Sequence, residues 1–368
     1  FGALDAASES GRFGQADDIL VELKDFQRKT AKNIVPDEAQ VEMEISYNKM
    51  NIFNSVFKMY SLIGVMLMLV FFVRVLLNLK KKGEKIFRWI GWALSSIAVV
   101  GFLYHGYGIY LRWAISGHAP WSNGYEALVF IAFITVAVGL AFARKHMAIL
   151  AGALILAALM LFVSDMNLMD PEITPLQPVL KSYWLMIHVA IITGSYAPLV
   201  VACMLAMLNL MLYTLRTKNN GTRITRHINE LTWLTEMAMM IGVMMLTIGT
   251  FLGGVWANES WGRYWGWDPK ETWALVAILA YAMVLHFRFI PGLKSKFALN
   301  VAAFWAYTTI LFTFFGVNFY LVGLHSYAQG DGLGRFPNWI LIVAVIFIVF
   351  TVFAGWRNKR YFKLQSDE

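Results

Sequence analysis

Long apolar runs, separated by short polar stretches, make up most of the chain after residue 55. Each run comes close to or exceeds the roughly 20 residues that a helix needs to cross the hydrocarbon core of a bilayer. These runs predict nine transmembrane helices, near residues 56–79, 86–111, 125–143, 147–164, 183–215, 237–257, 272–290, 298–323 and 338–356. We therefore expect an all-α fold, a polytopic membrane bundle of about nine helices.

The first 55 residues follow a different pattern, because they hold ten of the 23 acidic residues and two weakly amphipathic stretches. This pattern indicates an extracytoplasmic soluble segment at 1–55, followed by a transmembrane domain at 56–356 and a cytoplasmic tail at 357–368. The chain starts at Phe1 without an initiating methionine, so we expect it to be part of a longer protein.

Composition agrees with a membrane protein. Apolar residues make up 58% of the chain and charged residues 15%, and the mean hydropathy is +0.57, whereas soluble domains carry about 25% charged residues. The net charge of +8 comes from basic residues dispersed between the apolar runs, which favours a role in membrane topology, with no nucleic acid as partner. The single cysteine, Cys203, excludes an internal disulfide and a Cys-x-x-Cys pair, and we expect it to be a small buried apolar residue.

Alternate loops differ in their basic residues. One set of segments holds 18 lysines and arginines, and the other set holds five, namely Arg112, Lys181, Arg263, Lys270 and Arg335. By the positive-inside rule the basic set faces the cytoplasm. The N-terminal segment is therefore predicted outside and the C-terminus inside. The outer loops are rich in Trp, Gly, Pro and His, so we expect any chemistry on that face.

The stretch from Trp256 to Trp273 holds five of the 14 tryptophans within 18 residues. An interfacial aromatic belt would explain tryptophans at a loop end without any fixed order. Here, however, Gly262 and Gly266 separate the aromatic residues, and Asp268 leads into the next helix, where an acidic residue is favourable. Closely spaced indoles on tight turns predict a flat apolar surface suited to a planar ligand such as a porphyrin.

The segment Trp261-Gly-Arg-Tyr-Trp265-Gly-Trp267-Asp268-Pro-Lys-Glu271 resembles the WWD signature, W-G-x-x-W-x-W-D-x-x-E, of heme-handling membrane proteins of cytochrome c biogenesis. The resemblance extends over most of the chain beyond residue 55, including residues 116–126 and Gly323-Leu-His325-Ser-Tyr327. The chain is similar to the CcsA (ResC) component of the system II cytochrome c synthase. Whether it is a separate subunit or the C-terminal part of a fused CcsBA protein stays open.

The resemblance assigns heme b as both substrate and bound ligand, and neutral imidazole is a common axial ligand of heme iron. It implies that His188 and His325, both predicted on the outer side, are axial ligands at the aromatic loop. The alternative is that each is an interfacial histidine with its polar ring in the headgroup region. The loop residues that the resemblance implicates in heme binding or in ordering the loop are Trp256, Trp261, Tyr264, Trp265, Trp267, Asp268, Glu271 and Trp273.

His286 is predicted about 13 residues into the seventh span, roughly 20 Å below the outer surface. An ionisable side chain at that depth is costly and suggests a functional site. The resemblance implies an intramembrane heme site there, whereas the alternative is a neutral histidine bonded to a helix carbonyl. His105, in the second span, lies at a different predicted depth and does not match it as a second ligand. We expect His118, in the outer loop, to be solvated.

The resemblance implies heme transport across the bacterial cytoplasmic (inner) membrane and covalent attachment of the heme vinyl groups to the Cys-x-x-Cys-His thiols of apocytochrome c on the periplasmic face. This is the activity of a cytochrome c heme lyase (holocytochrome c synthase). The implied partners are a CcsB (ResB)-like part, which would provide the second ligand of the His286 site, the apocytochrome c segment and a thiol-reducing system. The alternatives are a heme-delivery protein of the CcmC or CcmF kind without ligase activity, and a transporter of a non-heme solute.

Overall fold

The computed structural model describes residues 2–31, 36–77, 79–143, 146–166, 169–174, 182–324 and 338–366. Over these residues the chain is helical and contains no β-strand, which confirms the predicted all-α fold. The chain divides into two compact units, Phe1–Met50 and Asn51–Glu368.

The first unit contains three helices, α1 (Gly2–Glu9), α2 (Phe13–Thr30) and α3 (Glu38–Met50). Lys24 and Arg28 lie one turn apart on α2, and both form ion pairs with Glu38, Arg28 at 2.8 Å. These side chains are well exposed, so the ion pairs orient α2 and α3 more than they stabilise the unit.

In the second unit the helices are α4 (Ile52–Leu76), α5 (Lys81–Ser116), α6 (Gly124–Ala143), α7 (Met147–Asp165), α8 (Tyr183–Leu215), α9 (Gly221–Trp261), α10 (Pro269–Leu285), α11 (Lys296–Leu311), α12 (Val317–Tyr320) and α13 (Asn338–Ser366). A π-helical turn, Phe312–Gly316, joins α11 to α12, so that the two continue as one helical rod. Such a turn often occurs at a functional site.

Within the described ranges, eight helical segments are long and apolar enough to cross a membrane, those that contain α4, α5, α6, α7, α8, α9, α11 with α12, and α13. The seventh predicted span, 272–290, corresponds to α10, which has 17 residues. That length is at the lower limit, about 17 residues, for a helix that spans a bilayer. The arrangement agrees with a polytopic bundle in which one helix is short.

Several predicted spans differ in their bounds from the helices: α5 and α13 are longer than predicted, and α9 and α10 also differ. Helix α9 has 41 residues and is roughly 60 Å long, whereas the prediction covered only 237–257. Charged and polar residues in its first four turns hid that part from a hydropathy argument. Helix α10 ends at Leu285 and not at residue 290, because the chain continues as a 3-10 turn, Phe287–Phe289, and then reaches Pro291, which disfavours helix in the residue before it.

Helix α8 is the central element of the second unit, because it packs along α9 and α11 and also contacts α6 and α13. One apolar core includes Leu199, Met239 and Ala303, and a second includes Leu205 and Leu231. Cys203 packs against the first core, with its Sγ 3.7 Å from the Phe304 carbonyl oxygen, as expected for a buried apolar residue. The two cores fix α8, α9 and α10 against one another.

Candidate functional site

A cavity of about 230 Å³ lies where the start of α8, the end of α9 and the start of α10 meet. Residues 119–124 and the π-helical turn complete its walls. Two of the loops predicted on the outer side thus meet around one space. Most of the lining is apolar, and the chemically interesting residues in it are His188, Trp256, Tyr264, Trp265, Lys270 and Glu271.

His188 is held in one orientation and one tautomer. Its Nδ1 lies 2.7 Å from the carbonyl oxygen of Gly249 on α9. Since a carbonyl only accepts, Nδ1 carries the proton and Nε2 carries the lone pair. The imidazole lies parallel to the Trp256 indole, with ring centroids 6.4 Å apart. A Cβ at Gly253 would lie 2.6 Å from His188 Cε1. The glycine therefore makes room for the ring, and Nε2 is the nitrogen suited to bind a metal.

The tryptophans do not form the flat surface that was expected of Trp261, Trp265 and Trp267. Trp265 and Trp267 are perpendicular, with centroids 5.8 Å apart, and Trp261 packs edge-on against the buried Trp256 at 4.8 Å. Trp267 has a left-handed backbone, φ 57°, and is 71% exposed. That backbone conformation turns successive side chains of the loop in different directions.

The remaining aromatic residues of the stretch differ in their positions. Trp256, Tyr264 and Trp265 line the cavity, and Tyr264 is also exposed. Trp273 packs against Phe312 of the π-helical turn, with ring centroids 4.1 Å apart, and it is not among the lining residues. Of the aromatic stretch, Trp256, Tyr264 and Trp265 therefore contribute to the cavity wall, together with His188 and with Trp121, Tyr196 and Phe314 from other segments.

Asp268 and Glu271 order the loop from the start of α10. They form a capping box, in which each carboxylate accepts from a backbone N–H of the first turn. Glu271 Oε2 also accepts from Gly266 N–H at 2.8 Å. Asp268 Oδ2 accepts from Leu324 N–H at 2.6 Å. The backbone immediately before His325 is thus fixed to the aromatic loop, although His325 itself lies outside the described residues.

Lys270 lies in the first turn of α10, before the predicted start of the seventh span, and lines the cavity. Burial lowers the pKa of its ammonium group to about 8, although the carboxylate of Asp268 opposes part of that shift. In the sequence, Lys270 is recognisable only as a basic residue of an outer loop. Its position in the first turn of a capped helix beside the aromatic loop was the signal that could have placed it in the site.

His286 is separate from this cavity, at the other end of α10. It caps the helix and is exposed, roughly 25 Å along the helix from Pro269. Its Nδ1 lies 2.7 Å from the Ala282 carbonyl oxygen, which is the bond that the competing interpretation predicted. The same bond leaves Nε2 with its lone pair, as in His188, so it does not exclude a metal-ligand role.

Two other histidines belong to structural networks. His105 is fully buried and contacts the Tyr60 hydroxyl at 3.3 Å, away from the cavity. His118, expected to be solvated, is half-buried and also hydrogen-bonded within the protein. Its Nε2 lies 3.2 Å from the Thr174 carbonyl oxygen, and its Nδ1 lies 3.2 Å from the Ser122 hydroxyl. His118 therefore helps to order the loop that precedes α6.

Arg112 and Glu126, both about 1% exposed, form an ion pair that the sequence pattern did not predict. The Arg112 Nη2 donates to Glu126 Oε1 at 3.1 Å, and Ser122 N–H donates to Glu126 Oε2 at 2.9 Å. Removal of one partner would leave a buried charge, which costs about 3–5 kcal/mol. This pair fixes the 119–124 wall of the cavity to the end of α5.

Comparison with known proteins gives a consistent result. The family model described as "Cytochrome C assembly protein" matches residues 121–325. The chain is 37% identical over 332 residues to Protein NrfI of Wolinella succinogenes, which covers 90% of this chain and 36% of NrfI. It is 37% identical to the cytochrome c biogenesis protein CcsA of Chlamydomonas reinhardtii, over 59% of this chain and 63% of that protein. It is also 32% identical to CcsA of Prochlorococcus marinus (strain MIT 9301), over 73% of this chain and 95% of that protein.

The helical bundle and the aromatic cavity define a multi-pass membrane protein of cytochrome c assembly. Within that class, the chain belongs to the CcsA-type cytochrome c biogenesis family. The chain spans about a third of the length of NrfI and somewhat less than two thirds of the Chlamydomonas protein.

Proposed function

We propose that this chain binds heme b at the cavity and joins it to apocytochrome c, as a cytochrome c heme lyase acting with a CcsB-like part. The observation that carries the proposal is the geometry of His188. Its Nδ1–H bond to Gly249 fixes the tautomer in which Nε2 is the nitrogen with metal-binding chemistry, on a residue that lines an apolar aromatic cavity. A metal-ligating histidine commonly donates its other ring N–H to such a backbone carbonyl.

His325 is proposed as the second axial ligand. The bond from Leu324 N–H to Asp268 holds the preceding backbone at the aromatic loop, which supports a position for His325 at the same site. Two neutral imidazoles would keep the iron six-coordinate until the histidine of the Cys-x-x-Cys-His segment displaces one of them. Displacement by the substrate offers a route for product release.

The size of the cavity supports a partly enclosed porphyrin. At about 230 Å³ the cavity is smaller than the roughly 300–1,000 Å³ that encloses a drug-sized ligand. A porphyrin bound there would therefore keep one edge outside, beside the exposed Tyr264 and Trp267. Vinyl groups on that edge would be within reach of the thiols of a second protein.

The chemistry needs no nucleophile from this chain. Each thiol S–H of the substrate adds across one vinyl C=C bond, so that sulfur bonds to the carbon nearest the ring and the hydrogen goes to the terminal carbon. No electrons are gained or lost overall, but the thiols must start reduced, which requires a thiol-reducing system. The chain's contribution is to position the porphyrin and its iron. Cys203 packs in the apolar core and does not line the cavity.

His286 is proposed to bind heme nearer the inner face, before transfer to the outer cavity. Its Nδ1 bond to Ala282 gives it the same tautomer as His188. We propose that the second ligand comes from the CcsB-like part, and that the protein functions in a bacterial cytoplasmic membrane with the cavity toward the periplasm. The basic residues of the alternate loops support this orientation.

The test is cytochrome c maturation in a bacterial host that lacks its own maturation pathway. The chain is expressed with its CcsB-like part and an apocytochrome c, and covalent heme is detected on denaturing gels. We expect product from the unaltered protein and none from His188→Ala or His325→Ala, with heme binding restored by added imidazole. Normal maturation by both variants would contradict the assignment of the ligands. Heme bound without any covalent product would favour a delivery protein of the CcmC or CcmF kind.

A further inference from the structure

Lys270 is a cation at the cavity that forms no close ion pair with a described residue. Its backbone N–H donates to Asp268 Oδ1 at 3.0 Å, but among the described residues its ammonium group makes no hydrogen bond and no ion pair within 4.0 Å. The side chain lines a space whose other walls are mostly apolar. A charge taken out of water in such surroundings is costly unless an opposite charge joins it.

The two carboxylates at the start of the same helix, those of Asp268 and Glu271, already accept from backbone donors. Asp268 accepts from the N–H groups of Lys270 and Leu324. Glu271 Oε2 accepts from those of Gly266 and Asp268, at 2.8 and 3.3 Å. Neither of these described carboxylates lies within 4.0 Å of the Lys270 ammonium group, which can therefore pair with an anion that enters the cavity.

We propose that Lys270 binds a carboxylate of the porphyrin, so that the cavity selects porphyrins with free propionate groups. The inference rests on the proposed function and adds a specificity determinant to it. His188 and Lys270 both line the cavity, from α8 and from the first turn of α10. His188 would bind the iron, and Lys270 would bind a propionate. Two such contacts prevent the porphyrin from rotating about the iron–histidine bond, which the axial bond alone does not.

The two attachments together determine which edge of the porphyrin faces outward. The propionates lie on one side of the macrocycle and the vinyl groups lie largely on the other. If Lys270 draws a propionate into the cavity, the vinyl edge is left toward the exposed side of the loop. Lys270 would therefore be a positioning residue for thioether formation as well as a binding residue.

The experiment compares iron protoporphyrin IX with its dimethyl ester, which keeps the iron, ring and vinyl groups but has no carboxylate charge. Equilibrium affinities for both are measured by absorption titration of the purified full chain with its CcsB-like part. The proteins are the unaltered one, Lys270→Gln, Lys270→Arg, and Lys58→Gln as a control. Lys58 is exposed on α4 and is not among the residues that line the cavity.

We expect the unaltered protein and Lys58→Gln to prefer the free acid by about tenfold, the effect of one charge-assisted hydrogen bond. Lys270→Gln should lose most of that preference, and Lys270→Arg should keep it. Because the ratio is taken within each protein, partial loss of folding does not alter it. An unchanged ratio in Lys270→Gln would overturn the inference while leaving the heme site intact. Failure of the unaltered protein to bind either porphyrin would overturn the proposed function and this inference together.

Discussion

The orientation of His188 depends on two glycines of α9. Gly249 supplies the carbonyl that holds Nδ1, and Gly253 provides the space in which the ring lies. Neither feature depends on the ligand itself. A site in which the ligand nitrogen is already oriented loses less freedom when the metal binds.

Gly253→Ala should therefore disturb heme binding without a change to any ligand. A methyl group there would lie 2.6 Å from His188 Cε1, so the ring must move, and we expect heme affinity to fall about tenfold or more, as for other groups that orient a ligand. Absorption titration measures the effect.

Gly194→Ala is the matched control. Gly194 is also inside a helix, and its nearest neighbour, Met245 Cε, lies 3.5 Å from the added atom, an ordinary contact. Both changes gain the same helix propensity. Equal heme affinity in the two variants would contradict the account of Gly253.

The affinity for free-acid porphyrin should also depend on pH through Lys270. Burial lowers the pKa of this group to about 8, so the ammonium form is present below that value and is lost above it. Since a carboxylate binds the ammonium form, affinity should fall as the pH is raised from about 7 to about 9. Titration at several pH values measures it.

The control for this prediction is Lys270→Arg. Arginine stays charged between about pH 7 and about pH 9, so the porphyrin affinity of this variant should change less with pH. The other titratable or charged groups of the cavity and the aromatic loop are the same in both proteins, namely His188, Tyr196, Tyr264 and Glu271 in the cavity wall and Arg263 and Asp268 in the loop. An identical pH dependence in the two proteins would show that Lys270 is not responsible.

At the level of elements, the start of α10 connects two loops that are distant in sequence. Its capping box orders the aromatic loop through Glu271, and it fixes the segment after α12 through Asp268. The backbone at Gly323 lies very close to the Asp268 carboxylate, since a Cβ at this glycine would lie 2.3 Å from Asp268 Oδ2. One helix terminus thus positions the loop on which heme is proposed to bind and the chain that leads to His325.

Asp268→Asn should separate these two roles. Asparagine is still a good N-cap residue, but it has one oxygen and cannot accept from both Lys270 and Leu324. We expect about tenfold faster hydrogen exchange at the Leu324 amide, together with lower heme content. Mass spectrometry of peptides that end at Leu324 would detect the faster exchange. Glu271→Gln leaves the Leu324 bond in place, so the same acceleration in both variants would contradict the argument.

The number and approximate positions of the membrane helices were largely predictable from the sequence. The bilayer requires long apolar runs, and basic residues concentrate in the loops on its inner side. The bounds of α9 and α10 were not predictable, since the polar start of α9 and the short length of α10 are determined by packing and by Pro291. The position of His188 next to the aromatic loop followed from topology. The perpendicular rings of Trp265 and Trp267 and the burial of Arg112 with Glu126 depend on contacts between distant segments, which no local pattern encodes.

At the scale of the whole molecule, two candidate heme sites lie at opposite ends of α10. The cavity with His188 is at its start, and His286 caps its end. A helix of 17 residues spans roughly 25 Å, so a heme bound near His286 must move along the bundle to reach the cavity. Cytochrome c assembly by this chain would then combine transport and attachment in one membrane protein.

The most direct test of the central claim is the visible absorption spectrum and heme content of the detergent-purified protein, co-expressed with its CcsB-like part. The account predicts a bis-histidine heme spectrum that is weakened by His188→Ala and by His325→Ala, and lost when His286→Ala blocks delivery. Absence of heme from the unaltered complex, or a spectrum that His188→Ala leaves unchanged, would contradict the claim that this cavity is a heme site.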